Sequence, residues 1–113
     1  MSEFSGRTVV VTGASSGIGR ALCLGIAPQR PNLVLAARDT ARLEEVAAEC
    51  CAKGAEPLVV STDVTSEDAC RNLIERTVER FGGIDIAFDD NLRVGRHLHV
   101  NRLALHQFHR PAP

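Results

Sequence analysis

The glycine-rich segment at residues 8–20 constrains this chain more than any other stretch. An apolar run, Val-Val-Val, leads into a turn that carries Gly13, Gly17 and Gly19, and helix-compatible sequence follows at once. Because glycine has no Cβ, such a turn can adopt positive φ and let an anion approach the backbone closely. The first turn of the helix then offers unpaired N–H groups and the positive end of its dipole. The segment therefore predicts a strand, a phosphate-binding turn and a helix, in that order.

The glycines have the spacing Gly-x3-Gly-x-Gly. The octapeptide from Thr12 to Gly19, Thr-Gly-Ala-Ser-Ser-Gly-Ile-Gly, resembles the Thr-Gly-x3-Gly-x-Gly signature of the short-chain dehydrogenase/reductase family. The resemblance covers residues 7 to about 88 and corresponds to the cofactor-binding half of that family. It implies hydride exchange between a nicotinamide dinucleotide and an alcohol/carbonyl pair. By resemblance, the turn residues expected to bind the cofactor are Gly13, Ser15, Ser16, Gly17, Ile18 and Gly19.

Apolar patterns predict alternating strands and helices along residues 8–88. Strands are expected at 8–11, 32–36, 57–61 and 84–88, and helices at about 17–27, 41–53 and 66–81. In the first helix, Ile18, Leu22 and Ile26 are spaced i, i+4, i+8 and are expected to face the sheet. Thr65 is expected to cap the third helix. Right-handed crossovers predict an α/β fold: a Rossmann-type parallel sheet in the order 3-2-1-4, with helices on both faces, incomplete relative to the family.

A second cofactor signal lies at the end of the second predicted strand. Arg38 follows neutral Ala37 and stands about 19 residues after Gly19, close to the spacing of the residue that meets the adenosine ribose in dinucleotide folds. An acidic residue there would repel a 2′-phosphate, whereas a guanidinium can clasp it. By resemblance this implies NADP (NADPH) over NAD, with Ser15 and Ser16 as further hydroxyl donors. The alternative is a solvated surface arginine.

A third signal, Asp63-Val64, follows the third predicted strand. In the family, an acidic residue followed by an aliphatic one brackets the adenine, and the carboxylate accepts from the exocyclic amine. The resemblance therefore implies that Asp63 and Val64 bind the cofactor. The alternative is a loop aspartate that serves a local turn.

The family pattern fails after the fourth predicted strand. Where the family has Leu-Val-Asn-Asn-Ala-Gly, residues 87–92 are Ala-Phe-Asp-Asp-Asn-Leu. Carboxylates cannot donate hydrogen bonds and would oppose the cofactor phosphates, so weak cofactor binding is expected. The family's catalytic serine and Tyr-x3-Lys have no counterpart, because these 113 residues contain no tyrosine and Lys53 is their sole lysine. No catalytic residue is assigned, and enzyme activity is left open.

Charge divides the chain near residue 90. All fourteen acidic residues lie in residues 1–90, the expected NADP-binding Rossmann-type partial domain, whereas residues 91–113 hold four arginines and all four histidines. Two interpretations remain for this basic C-terminal helix or tail. It resembles the family's next helix after a deleted loop, with Asn101 matching the catalytic asparagine. Alternatively, it is unrelated sequence, for example from a shifted reading frame.

Composition limits the partners and the compartment. The length predicts one domain, and a net charge of −1 predicts no nucleic-acid partner. No spanning segment or signal-peptide core is found, so no membrane contact is expected. Four cysteines without metal-ligand spacing predict free thiols in a reducing cytoplasm. The histidines have no nearby carboxylate or thiolate, so no metal is expected.

Two classes of function follow from these features. The first is an NAD(P)-dependent short-chain dehydrogenase/reductase-like oxidoreductase, here a truncated form that only binds the cofactor. The second is a non-catalytic dinucleotide-binding fragment or interaction module, which could self-associate through the exposed edge of the fourth strand. A Rossmann-type binder outside oxidoreduction is a third possibility, although the octapeptide favours the family.

Overall fold

The computed structural model describes residues 3–88 as strands alternating with helices. The strands are β1 (Thr8–Thr12), β2 (Asn32–Ala37), β3 (Glu56–Ser61) and β4 (Ile86–Phe88). The helices are α1 (Gly17–Ile26), α2 (Thr40–Ala52) and α3 (Glu67–Phe81), with a 3₁₀ turn at Ala27–Gln29. The predictions for Asp89, Asp90, Asn101, the histidines and the rest of the tail lie outside the described residues.

The four strands form one parallel sheet in the order β3-β2-β1-β4. This confirms the predicted Rossmann-type order. The central strands are buried on both faces, as expected when helices cover each side of a parallel sheet. β1 has β2 on one side and β4 on the other, so the strand order reverses at β1. The carboxyl end of β1 is therefore the topological switch point, where ligands bind in folds of this type.

Two hydrophobic cores lie on opposite faces of the sheet. Alternate residues of β1 supply both, because side chains alternate along a strand: Val9 and Val11 face α1 and α2, and Val10 faces α3. Helix α2 buries four residues on its inward face, namely Leu43, Val46, Ala47 and Cys50. Helix α3 buries only Leu73 and Thr77. The α1/α2 face therefore carries the larger core.

The predicted inward stripe of α1 is wrong at its first residue. Ile18 is 82% exposed, while Gly19, Cys23 and Ile26 form the buried face of the helix. The physical reason is the close packing of Gly19 on the preceding turn, which sets the rotation of the helix about its axis. Ile18 lies about 100° around the helix from Gly19 and is thereby directed to solvent.

The start of α3 also differs from its prediction. Ser66, not Thr65, is the N-cap, and its Oγ accepts a hydrogen bond from the Ala69 N–H at 3.2 Å. Thr65 is unavailable because its hydroxyl donates to Asp63 Oδ1 at 2.6 Å. The N-cap of α2 is Asp39, whose Oδ1 accepts a hydrogen bond from the Arg42 N–H at 3.1 Å. Each cap satisfies a backbone donor that the helix leaves without an internal partner.

Strand β4 begins two residues later than predicted. Asp85, just before it, is held by two hydrogen bonds to Thr8: its Oδ2 accepts from the Thr8 N–H at 2.8 Å, and its own N–H donates to the Thr8 carbonyl at 2.9 Å. Ile84 stays buried in the α3-side core although it precedes the strand. This pair of bonds aligns β4 with β1 and brings their carboxyl ends together.

In the described part of the chain, no helix combines the length and apolar character needed to span a bilayer. Residues 3–88 also contain no group of three or more potential metal ligands placed to share an ion.

Candidate cofactor site

The turn between β1 and α1 depends on glycine at two positions. Gly13 has φ 64° and Gly17 has φ 58°, both in the left-handed region. For a residue with a Cβ this conformation is about 1–2 kcal/mol less favourable, whereas glycine adopts it without strain. Between them Ser16 is extended, with φ −157° and ψ 167°. The result is a tight backbone path that delivers the chain directly into α1.

Gly19 is required for a different reason, which is space. A Cβ on Gly19 would overlap the Gly13 carbonyl oxygen and would lie 2.7 Å from the Gly13 carbonyl carbon and 3.2 Å from Ala14 Cα. The first turn of α1 thus rests on the backbone of the glycine turn. Ala14 is fully buried and its N–H donates to the Ala36 carbonyl of β2 at 3.3 Å. The first contact fixes the helix on the turn, and the second fastens the turn to the sheet.

Within residues 3–88, the N-terminus of α1 is not capped by a side chain. Ser16 is its N-cap but makes no side-chain capping hydrogen bond, and the first turn contains no acidic residue. Its first N–H groups have no intrahelical acceptor, and the first turn itself supplies no carboxylate to the positive end of the helix dipole. The exposed Ile18 side chain stands at the same place. Together these features suit an anionic ligand that also carries apolar surface.

Arg38 and Asp63, predicted from separate signals, are neighbours. They follow the adjacent strands β2 and β3, whose ends are joined by the Thr62 N–H donating to the Ala37 carbonyl at 2.8 Å. Arg38 Nε lies 3.8 Å from Asp63 Oδ1, and the Arg38 side chain is 75% exposed. A pair this open to solvent contributes little to stability. The guanidinium therefore remains accessible beside the carboxyl end of β2.

Asp63 is engaged in a local turn. Its Oδ1 accepts from the Thr65 hydroxyl at 2.6 Å and from the Thr65 N–H at 2.9 Å. The hydroxyl bond, then the N–H bond, then the Arg38 charge lower the pKa of Asp63 from its ordinary value. Asp63 therefore stabilises the turn that leads to Thr65. Asp63 is an ionised acceptor at neutral pH, and the neighbouring Val64 is half-buried.

A cleft of about 440 Å³ separates the glycine turn from α2. Its walls are formed by Ser15, Ser16, Gly17, Arg20, Arg42, Glu45 and Val46. The structure thereby brings predicted turn residues together with three charged side chains, Arg20, Arg42 and Glu45, that sequence reasoning missed. The sequence did contain a signal for Arg42. With Asp39 as the N-cap, Arg42 lies in the first turn of α2, where its side chain can face the cleft.

Comparison with known proteins settles the family. A family model described as short chain dehydrogenase matches residues 7–90. The chain belongs to the short-chain dehydrogenase family. An uncharacterised oxidoreductase of Listeria monocytogenes is 39% identical over 82 residues, which make up 73% of this chain and 33% of that protein.

Solved short-chain dehydrogenase structures match the same part of the chain. The structure of a short-chain dehydrogenase/reductase from Burkholderia phymatum in complex with NAD has a TM-score of 0.72 at 37% identity, over 77% of this chain and 31% of that one. The L-sorbose reductase of Gluconobacter frateurii, complexed with NADPH and L-sorbose, has a TM-score of 0.71 at 38% identity, over 74% and 32%. The chain therefore spans about a third of the length of these relatives.

The residues present fit the NAD(P)-binding Rossmann fold of this family. The close approach at Gly19, the uncapped α1 terminus and the accessible Arg38 provide a backbone surface that favours anions and a cation at the ligand-binding edge of a sheet of this type. The two structures above contain NAD and NADPH respectively. Both relatives thus hold a nicotinamide dinucleotide, and the two dinucleotides differ in whether they carry a 2′-phosphate.

Proposed function

We propose that this short-chain dehydrogenase chain binds a nicotinamide dinucleotide at the glycine turn. The observation that carries the proposal is the packing of Gly19 on Gly13, which presents the uncapped N-terminus of α1 at the switch point of the sheet. The diphosphate would accept from backbone N–H groups there, a geometry that favours anions. The turn residues assigned to the cofactor are Gly13, Ser15, Ser16, Gly17, Ile18 and Gly19.

The preferred cofactor in this proposal is NADP(H). Ala37 is buried and neutral, so no carboxylate occupies the end of β2 to repel a 2′-phosphate. Arg38 follows it with an accessible guanidinium, which pairs with phosphate through several charge-assisted hydrogen bonds. Asp39 does not oppose this arrangement, because its carboxylate caps α2 and lies 3.8 Å from Arg42 Nε.

Asp63 and Val64 complete the proposed adenosine site. Asp63 is held in place by Thr65, so its carboxylate is oriented before the ligand arrives. An ionised acceptor near the end of β3 suits the exocyclic amine of adenine. The neighbouring Val64 supplies apolar contact for the ring.

Binding without turnover is the proposed behaviour of these 113 residues. The nicotinamide would supply the hydride when bound, but reduction of a carbonyl also needs a proton donor beside it. The chain has no tyrosine to fill that role, and Lys53 lies at the end of α2 next to Gly54. The chain's residues would therefore bind and orient the dinucleotide only.

Fluorescence titration of the purified chain with NADPH and NADH tests this function. Weak binding with NADPH favoured is expected, together with no steady NADPH oxidation over a panel of carbonyl compounds. Equal or tighter NADH binding would overturn the role of Arg38. Steady oxidation would overturn the proposed lack of turnover, and absence of binding by either cofactor would overturn the function itself.

A second candidate function is self-association through β4. Within residues 3–88, β4 pairs only with β1, and its outer edge has no strand beside it. Unpaired strand edges template pairing with another chain. Light scattering over a range of chain concentrations should show a dimer that grows with concentration. A monomer throughout the range would remove this candidate.

The state of the cysteines supports a reducing compartment such as the cytoplasm. All four are free thiols, and burial raises the pKa of Cys23 to about 12 and that of Cys50 to about 11. These two buried thiols, Cys23 and Cys50, are inert, since the thiolate is the reactive form.

A further inference from the structure

We propose that Arg42, in the first turn of α2, is a second determinant of cofactor choice and contacts the 2′-phosphate from the side opposite the glycine turn. The inference deepens the proposed function and depends on it. It assigns a role to the cleft between the turn and α2, one wall of which is formed by turn residues already assigned to the cofactor. Arg38 borders the site from the end of β2, and Arg42 would border it from α2.

The position of Arg42 follows from the α2 cap. Asp39 Oδ1 accepts from the Arg42 N–H at 3.1 Å, which fixes Arg42 one turn from the end of β2. The Arg42 side chain lines the cleft together with Ser15, Ser16 and Gly17. A group bound between the turn and the end of β2 would therefore lie within the space that Arg42 faces.

Among residues 3–88, Arg20 of this cleft donates side-chain hydrogen bonds to a carboxylate, whereas the Arg42 guanidinium makes none. Arg20 is committed to Glu49, with Nη2 lying 3.0 Å and 3.4 Å from the two carboxylate oxygens. Arg42 has a looser ion pair, in which Nε lies 3.8 Å from Asp39 Oδ2, and its side chain is 64% exposed. At 3.8 Å this pair is beyond hydrogen-bonding distance, so a ligand phosphate can compete for the guanidinium.

The charges around the cleft explain why a phosphate, and not a neutral ribose, would gain from Arg42. Arg20 and Glu49 neutralise each other, and Asp39 is directed at the helix N-terminus that it caps. Glu45 is the remaining carboxylate on the cleft wall and opposes an anion. A phosphate monoester carries about −1.5 to −2 charges at neutral pH, so two guanidiniums, Arg38 and Arg42, match it better than one.

The test compares Arg42→Ala with Arg71→Ala in the full 113-residue chain. Arg71 is a matched control, because it also lies in the first turns of a helix and pairs with an aspartate three residues earlier, but on α3 across the sheet. Affinities for NADPH, NADH and adenosine 2′,5′-bisphosphate are measured for each protein. Circular dichroism verifies that both variants fold.

Arg42→Ala should weaken NADPH and the bisphosphate about tenfold, equivalent to about 1.4 kcal/mol, and leave NADH unchanged. The NADPH affinity of Arg42→Lys should lie between that of the parent chain and that of Arg42→Ala, because an ammonium keeps the charge but loses the fork geometry. Arg71→Ala should change nothing. If the parent chain prefers NADPH and Arg42→Ala keeps that full preference, this inference alone is overturned. If the parent chain binds neither dinucleotide, the proposed function is overturned and this inference with it.

Discussion

The inner half of the candidate site is formed by backbone, whereas the outer half is formed by side chains. The inner half, the glycine turn and the start of α1, is defined by backbone: two positive φ angles and a helix that packs directly on a carbonyl group. The outer half, around Arg38, Asp63 and Arg42, is defined by exposed side chains in loose ion pairs. The inner half is therefore expected to tolerate substitution poorly, whereas the outer half can change its ligand preference with little loss of stability.

The largest expected effect tests the rotation of α1 set by that inner half. Ile26→Ala removes a side chain that is 5% exposed and should lower the free energy of unfolding by about 3 kcal/mol. Ile18→Ala, the same substitution in the same helix, should stay within about 0.5 kcal/mol because Ile18 is exposed. Urea denaturation measures both. Equal losses would mean that Ile18 faces the sheet after all.

Gly19→Ala tests the close approach itself. The added Cβ would meet backbone atoms that cannot rotate away, so a loss of about 2 kcal/mol is expected despite alanine's better helix propensity. Gly25→Ala is the control, because no atom lies within 4 Å of its ideal Cβ and it lies in the same helix. That variant should gain up to about 0.5 kcal/mol. Thermal unfolding that leaves Gly19→Ala as stable as the parent chain would contradict the packing.

Gly17→Ala tests backbone conformation without crowding. No atom lies within 4 Å of the added Cβ, so the expected loss of about 1 kcal/mol comes from the positive φ alone. Gly6→Ala has the same kind of strain at φ 71°, lies before the start of β1 and therefore at the other end of that strand from the glycine turn, and should lose a similar amount. Only Gly17→Ala should also weaken dinucleotide binding. A parallel loss of binding in Gly6→Ala would show that strain acts through general destabilisation.

The smallest effect is expected in the outer half, at Thr65. Thr65→Val removes the hydroxyl that donates to Asp63, so the pKa of Asp63 should rise toward its ordinary value, while Thr65→Ser should keep it low. Because the folded-state pKa is lowered, ionised Asp63 stabilises the fold above its unfolded-state pKa. That contribution is lost as the pH falls through the folded-state value. An NMR titration of the Asp63 carboxyl in the three proteins measures the shift, and identical curves would contradict the contact.

Sequence alone could predict the backbone-built parts of this molecule. The strand order and the inward face of α2 follow from apolar periodicity. The turn follows from glycines at positions whose positive φ would strain other residues. The prediction for Ile18 was wrong because hydrophobic spacing does not reveal that a glycine, lacking any side chain, sets the helix rotation. Thr65 was mistaken for a cap because two adjacent hydroxyls compete, and tertiary geometry decides which one Asp63 engages.

The outer half was less accessible to sequence reasoning. Arg38 and Asp63 were found from their positions after strands, but their pairing with each other depends on β2 and β3 lying side by side. Arg20, Arg42 and Glu45 share a cleft because α1 and α2 pack side by side. The sequence of either helix alone does not predict that packing.

One NMR titration tests the central claim, that the turn between β1 and α1 receives the diphosphate of a dinucleotide. At 12.2 kDa the chain gives resolved amide spectra, so NADPH can be added while each backbone N–H is followed. The largest shifts should fall at Gly13 and at Gly17 to Gly19, with smaller ones at Arg38. Shifts confined to α3, or none at saturating cofactor, would contradict the account.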